Sequence, residues 1–329
     1  MEGNNILNDI AERTGGDIYL GVVGPVRTGK STFIKRFMEL MVLPNIKDIY
    51  ERERAKDELP QSGAGKTITT TEPKFVPNEA VEILTKNGLS LKVRLVDCVG
   101  YSVDGALGYQ EDDEPRMVRT PWFDYEVPFE EAAEIGTRKV IADHSTIGIV
   151  MVTDGSISEI PRDNYVETEE RVISELKDLH KPFIILLNSI HPYDKETLEL
   201  AEELSAKYDV TVAPVDSANM TIEQIYSILE EVLYEFPVQE VNIRLPLWVE
   251  ELDEDFWLRA DMETAIRDVL SGIKKVRDID GAIEKLSEVD NISYVSLEEM
   301  NLGTGIAAIE VAVPEDLFYR SLSEVSGFS

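Results

Sequence analysis

Eight residues, Gly24-Pro25-Val26-Arg27-Thr28-Gly29-Lys30-Ser31, constrain this chain more than any other feature. They form a complete G-x-x-x-x-G-K-S phosphate loop, and their flanks have the character such a loop requires. The apolar run 18–23 before it reads as a buried strand. Residues 32–43 after it read as a helix with Phe33, Ile34, Phe37, Met38 and Met41 on one face. Strand, tight loop and helix in that order place backbone N–H groups and the positive end of a helix around a polyphosphate. Gly24, Arg27, Thr28, Gly29, Lys30, Ser31 and Thr32 are therefore the expected phosphate-binding residues. Lys30 is expected on the β- and γ-phosphates and the Ser31 hydroxyl on Mg²⁺.

Further stretches fall where a phosphate loop needs partners. Asp97-Cys98-Val99-Gly100 closes the strand-like run 92–97. Its carboxylate is expected to hold Mg²⁺, usually through water, and the Gly100 N–H to face the γ-phosphate. Between the loop and this stretch lies Gly63-Ala64-Gly65-Lys66-Thr67-Ile68-Thr69-Thr70-Thr71-Glu72-Pro73, in the place of a first switch segment. Thr70 and Thr71 are the expected γ-phosphate sensors, one hydroxyl (assigned to Thr70) completing the metal shell, with Thr67 behind them. A polar loop leading into a strand is the plainer alternative. Gly65-Lys66-Thr67 is not a second phosphate loop, because Pro60 stands where its first glycine belongs.

The base-reading region is informative through what it lacks. The strand-like run 183–187 is followed by Asn188-Ser189-Ile190-His191, where guanine readers carry Asn-Lys-x-Asp. A neutral imidazole has one acceptor and cannot replace a carboxylate that takes both the ring N–H and the exocyclic amine. Losing such readout costs orders of magnitude in selectivity. The expected nucleotide is therefore ATP rather than GTP, with Asn188, Ser217 and Ala218 around the base; Asp194 would substitute only if the loop rearranged. Tyr101 follows Gly100 where small GTPases place a water-orienting Gln, so catalytic charge has to come from elsewhere. Arg27 is expected to supply it in cis, as an arginine finger does, with Lys66 the alternative. An Arg27 that simply faces solvent or an acidic neighbour is the competing reading. The expected catalytic set is Arg27, Lys30, Thr70, Thr71 and Asp97, and the metal set Ser31, Thr70 and Asp97.

Continuous apolar runs at 147–152 and 183–187, a shorter one at 210–213, and helical patterns at 129–143, 164–179, 195–207 and 221–234 alternate along the chain. They predict an α/β domain over 1–236, with a doubly wound, mostly parallel sheet and ligands beyond the carboxyl ends of its strands. Alternation stops at Phe236-Pro237. Residues 237–329 are expected to form a smaller α+β domain, incomplete at its end, with one long helix over 254–276. Strands at 292–297 and 306–313, joined through 303–305, and a short helix over 314–325 complete it. The insertion 101–128, with an acidic run at 111–114 and with Trp122, Phe123 and Tyr125, suits a solvated loop or a nucleotide-responsive contact surface.

The chain carries 64 acidic and 32 basic residues, a net charge of −32. That argues against binding a nucleic-acid backbone, and makes any self-assembly depend on salt or divalent ions. No apolar run approaches the roughly 20 residues that span a bilayer, so no direct membrane insertion is expected. The chain lacks a secretory n- and h-region. The single cysteine, Cys98, fits a reducing cytosol and reads as a packed small side chain.

Several long stretches resemble the stage IV sporulation protein A family. These are residues 9–24, the loop 26–31, Thr70-Thr71-Glu72-Pro73-Lys74-Phe75-Val76-Pro77, Leu95-Val96-Asp97-Cys98-Val99-Gly100-Tyr101, 131–141 and 144–148, with similarity running through 234–238 and more loosely beyond. The resemblance implies a P-loop fold of the translation-factor-like GTPase class with the guanine-reading motif lost. It implies an ATPase that polymerises in the mother-cell cytoplasm on the forespore surface, as the platform for spore coat assembly. Lys30, Asp97 and Thr70-Thr71 would then be the phosphate-loop lysine, the Mg²⁺ aspartate and the sensor threonines. Implied partners are the protein itself as a polymer, the membrane-anchoring peptide stage V sporulation protein M, and other coat proteins. The family's C-terminal domain, which binds that peptide, is expected to lie beyond this chain. A GTP-dependent switch and a nucleotide-binding structural protein without turnover remain the competing readings.

Overall fold

The computed structural model describes residues 2–60, 73–84, 88, 90–106, 110–111, 114–119 and 124–327. They divide into two units, residues 1–232 and 233–329.

Among the described residues, the first unit is built on a six-stranded sheet. Its strands are β1 (Asp17–Val23), β2 (Lys74–Leu84), β3 (Ser90–Asp97), β4 (Ile147–Thr153), β5 (Phe183–Asn188) and β6 (Val212–Val215), in the order β6-β5-β4-β1-β3-β2. All neighbours are parallel except β2, which runs antiparallel to β3 at the edge, its register slipping between Val76 and Val81. The helices are α1 (Glu2–Thr14), α2 (Lys30–Phe37), α3 (Ile49–Asp57), α4 (Phe129–His144), α5 (Val166–Asp178), α6 (Lys195–Tyr208) and α7 (Ile222–Tyr234). Strand β4 is buried at every position, as a central strand covered on both faces must be. One sheet face presents Val23, Val96, Val150, Val152, Ile185 and Leu187 to Ile141 of α4, Ile173 and Leu176 of α5 and Leu204 of α6. Residues of the opposite parity (Leu20, Val22, Leu95, Ile149, Met151 and Leu186) are equally buried.

The expected strands and helices of this unit are present, with three differences. The helix predicted over 32–43 is α-helical only to Phe37; a wider π turn (Met38–Val42) and a 3-10 turn (Leu43–Asn45) carry it on. Pro44, with no N–H to give, cannot continue the ladder. The strand expected at 210–213 lies two residues further along, because Val210 is fully buried as packing ahead of it. Strand β2 and helices α1 and α3 were not predicted as elements.

The second unit contains β7 (Glu240–Arg244), α8 (Leu247–Glu250), α9 (Trp257–Leu270), α10 (Asp278–Ser287), β8 (Tyr294–Asn301), β9 (Ile306–Ala312) and α11 (Glu315–Ser326). Strand β9 is central, parallel to β7 and antiparallel to β8. Val295, Ile309 and Val311 pack with Leu258, Met262 and Ile266 of α9 and Ile279 and Leu286 of α10. The long helix predicted over 254–276 is corrected to two. It stops at Ser271-Gly272, and the Asp278 carboxylate accepts the Lys274 and Lys275 N–H groups at 2.9 and 2.8 Å, starting α10 in a new direction. Strand β7 is short, with only Val241 and Ile243 alternating, and α10, though apolar at 279, 282, 283 and 286, was not predicted as an element.

Candidate phosphate-loop site

The carboxyl ends of the central strands converge on one cleft rim. The loop leaves β1, Asp97 ends β3, Thr153 ends β4, Asn188 ends β5, and Val215 ends β6. Gly29, just ahead of α2, has φ +94°, and a Cβ there would stand 2.1 Å from Asn188 Nδ2; only glycine fits both the backbone and the neighbour. Gly100 lies close beneath the loop. A Cβ on it would meet Val26 Cα at 2.6 Å and Lys30 Nζ at 2.7 Å. The backbone fastens the two segments, Val26 N–H donating to Tyr101 O at 2.9 Å and Tyr101 N–H to Gly24 O at 3.3 Å.

Lys30 is buried, and its Nζ donates to Pro25 O at 2.7 Å and Gly24 O at 3.1 Å. Burial pushes its ammonium down to about 8, against the pull of Asp97. Ser31 Oγ donates to Asp97 Oδ2 at 2.6 Å. Burial raises the Asp97 carboxyl, opposed by the Ser31 hydrogen bond and by Lys30 and Lys74. Thr28 is fully buried, its hydroxyl donating to Pro25 O at 2.9 Å, and Thr32 is half-buried in the first turn of α2. The structure therefore brings Gly24, Thr28, Gly29, Lys30, Ser31, Asp97 and Gly100 together. Arg27 is held at φ +62°, half-buried, and its charge acts on Lys30 and on the Tyr165 phenol. Thr70 and Thr71, like Lys66 and Thr67, lie outside the described residues, as do Trp122 and Phe123.

Asn188 links the loop to the far side of the cleft. Its Nδ2 donates to Thr28 O at 3.0 Å, and its Oδ1 accepts the Ser217 N–H at 3.0 Å. Ser217 is buried and Ala218 exposed in the segment after β6. Arg36 Nε donates to Met220 O at 2.9 Å, so α2 holds the other end of that segment. His191 is exposed, and its backbone N–H donates to Ser189 Oγ at 2.9 Å. Asp194 is exposed at the N-terminus of α6. Tyr101 points away from the loop: its hydroxyl donates to Glu175 Oε2 at 2.8 Å. Cys98 is buried and its thiol is pushed far above the ordinary range by that burial, as a packed side chain should be.

Sequence reasoning missed the segment after β4. Asp154 to Tyr165 lies against the loop, with Ile157 beside Gly29, and Val26, Val103, Ile160 and Tyr165 form a small buried cluster. Arg162 fixes this segment to α5 and α6. Its Nη2 donates to Glu169 Oε1 at 2.9 Å, Nη1 lies 2.7 Å from Oε2, and Tyr208 donates to the same carboxylate at 3.0 Å. The available signal was Asp154-Gly155-Ser156, a turn at a strand's end, which by itself names no function.

A mostly parallel sheet with a G-x-x-x-x-G-K-S loop between β1 and α2, and a carboxylate at the end of β3 touching its serine, defines a P-loop nucleoside triphosphatase domain. A family model of the stage IV sporulation protein A ATPase domain matches residues 1–237, and one of its middle domain matches 238–329. The chain belongs to the stage IV sporulation protein A family. Proteins of that name from Bacillus anthracis and Bacillus subtilis (strain 168) are 53% and 54% identical over 327 residues. Those alignments cover 99% of this chain and 66% of each relative, so the chain spans 66% of the length of the curated relatives it matches. Among solved structures, apo translation elongation factor SelB from Methanococcus maripaludis aligns at 14% identity with a TM-score of 0.35. That match covers 66% of this chain and 33% of its own. Among the described residues no helix is long and apolar enough to cross a membrane.

Proposed function

We propose that this chain binds ATP with Mg²⁺ and hydrolyses it to ADP and phosphate, and that this turnover drives its self-assembly on the forespore surface as the platform for the spore coat. The observation that carries the nucleotide reading is the 2.6 Å contact of Ser31 Oγ with Asp97 Oδ2 beside the buried Lys30. A hydroxyl and a carboxylate already adjacent are the hard oxygen donors that suit Mg²⁺. Ser31 and Asp97 would hold the ion, with Thr70 from the first switch segment. When bound, the ion neutralises charge on the β- and γ-phosphates. Lys30 exchanges Gly24 O and Pro25 O for phosphate oxygens, and the Gly100 N–H faces the γ-phosphate. The absence of a carboxylate at His191 supports adenine over guanine. The family supports assembly, with stage V sporulation protein M and other coat proteins as partners.

Steady-state hydrolysis of ATP and GTP side by side, with Mg²⁺, tests the reading. Turnover of ATP should exceed that of GTP by about tenfold or more, and Asp97→Ala should turn over neither. A preference for GTP would instead put a guanine-dependent switch first. Arg27 is the residue we assign to stabilising charge on the transferred phosphate. Arg27→Ala should lower kcat by roughly 10²–10³ at saturating ATP without added K⁺; an unchanged kcat removes Arg27 from the chemistry.

A further inference from the structure

The segment after β6 has an electrostatic polarity that the phosphate loop does not dictate. Asp216 Oδ1 accepts the N–H groups of Ala218 at 3.0 Å and Asn219 at 3.2 Å, and Oδ2 accepts Asn219 Nδ2 at 2.8 Å. The carboxylate thus takes the Ala218 N–H and shares the Asn219 N–H with the Asp216 carbonyl, which accepts it at 3.2 Å. One acceptor position, on Oδ2, is left over. Adenine presents an amine donor at its 6-position, where guanine and hypoxanthine present a carbonyl acceptor. A rim with its N–H groups already taken and a carboxylate beside them accepts the amine and has no donor for the carbonyl.

The segment is also tied to the phosphate loop and its helix at both ends. Asn188 ties Ser217 N–H to the phosphate loop, and Arg36 of the loop's own helix ties Met220 O. The Ser217 hydroxyl is buried with no hydrogen-bond partner among the described residues. A buried hydroxyl without a partner is costly, and a hydrogen bond to a ligand atom would relieve that cost. After β5, His191 stands where a guanine reader carries its carboxylate.

We infer that Asp216 is the specificity-determining residue of this site, selecting a 6-aminopurine by accepting its exocyclic amine while denying a 6-carbonyl any backbone donor. The inference rests on the ATP reading above. Replacing Asp216 by Asn keeps an oxygen to cap Ala218 and Asn219 but exchanges the second acceptor for a donor. Replacing it by Ala frees the Ala218 N–H, while the Asn219 N–H keeps the Asp216 carbonyl at 3.2 Å.

The test is equilibrium binding to the whole chain, by calorimetry with Mg²⁺, of ATP, inosine triphosphate, purine riboside triphosphate and GTP. The parent should prefer ATP to purine riboside triphosphate, which lacks a 6-substituent, by about tenfold, and bind inosine triphosphate more weakly still. In Asp216→Ala the ratio of ATP to inosine triphosphate affinity should fall at least tenfold, and in Asp216→Asn it should fall further or invert. Unchanged ratios in both variants, or an equal loss for every nucleotide, would overturn the inference while leaving the ATP reading standing. A parent that binds none of the four, or that prefers GTP, would overturn both.

Discussion

Replacing Lys30 with Met should cut ATP affinity by about 100-fold or more and abolish turnover, yet leave the nucleotide-free protein nearly as stable at pH 7. Both halves follow from where the ammonium sits. It is buried and its pKa is lowered to about 8, while the unfolded chain would hold it near the ordinary value of 10.5. Folding therefore disfavours the charged form by about 3 kcal/mol below pH 8, at 1.36 kcal/mol per unit. Against this, its bonds to Gly24 O and Pro25 O would be lost, at about 1–3 kcal/mol. The two terms nearly cancel. Because the folded pKa is depressed, the cost is complete below pH 8 and disappears as pH rises toward 10.5. The parent should thus gain stability across that window relative to Lys30→Met. Chemical denaturation at pH 7 and pH 10, with and without ATP, checks this. A variant that loses several kcal/mol at pH 7 would show that the lysine is a structural strut and not a group reserved for phosphate.

Glu169→Ala should destabilise the first unit by about 3–5 kcal/mol, the cost of orphaning one member of a buried pair. The carboxylate has no exposed surface, and its removal leaves the Arg162 guanidinium, with 18% of its side chain exposed, and the buried Tyr208 hydroxyl without their partner. Urea unfolding should show a lower midpoint. Glu169→Gln, which keeps an acceptor for Tyr208, should recover part of the loss. A change under about 1 kcal/mol would mean that Arg162 finds another partner.

The contrast between these two residues shows what was legible in the sequence. Lys30 belongs to a motif whose spacing is itself the chemistry, so it could be placed by inspection, and Asp97 followed from a strand ending at the right distance. Strands β4 and β5 were readable because doubly covered strands are written as unbroken apolar runs, β1 as the apolar run ahead of the loop, and β3 because it alternates into a buried end. Strand β2 was not, because Pro77-Asn78-Glu79 interrupts its alternation where the register slips. Helix α9 was overextended because its polar and apolar spacing continues past Ser271-Gly272, and only the Asp278 cap shows the break. Glu169 and Asp216 were invisible for different reasons. Each is one acidic residue among 64; Glu169 is defined by Tyr208, 39 residues away, and Asp216 by a local turn with Ala218 and Asn219 that by itself names no function.

The cluster of Val26, Val103, Ile160 and Tyr165 gives the phosphate loop a borrowed wall. Val26 is the loop's own contribution, Val103 follows the Asp97-x-x-Gly100 stretch, and the other two come from the segment after β4. Thr168 Oγ1 holds Ser102 O at 2.7 Å and Asn164 Nδ2 holds Asp104 O at 2.8 Å, pinning the stretch 102–104 to the same side. Peeling this stretch away would wet Val26 and Tyr165 as well as Val103, at about 1.5–3 kcal/mol for each large apolar side chain exposed. The loop, the stretch after Asp97 and the segment after β4 therefore share one apolar wall, and opening any one of them exposes side chains of the others.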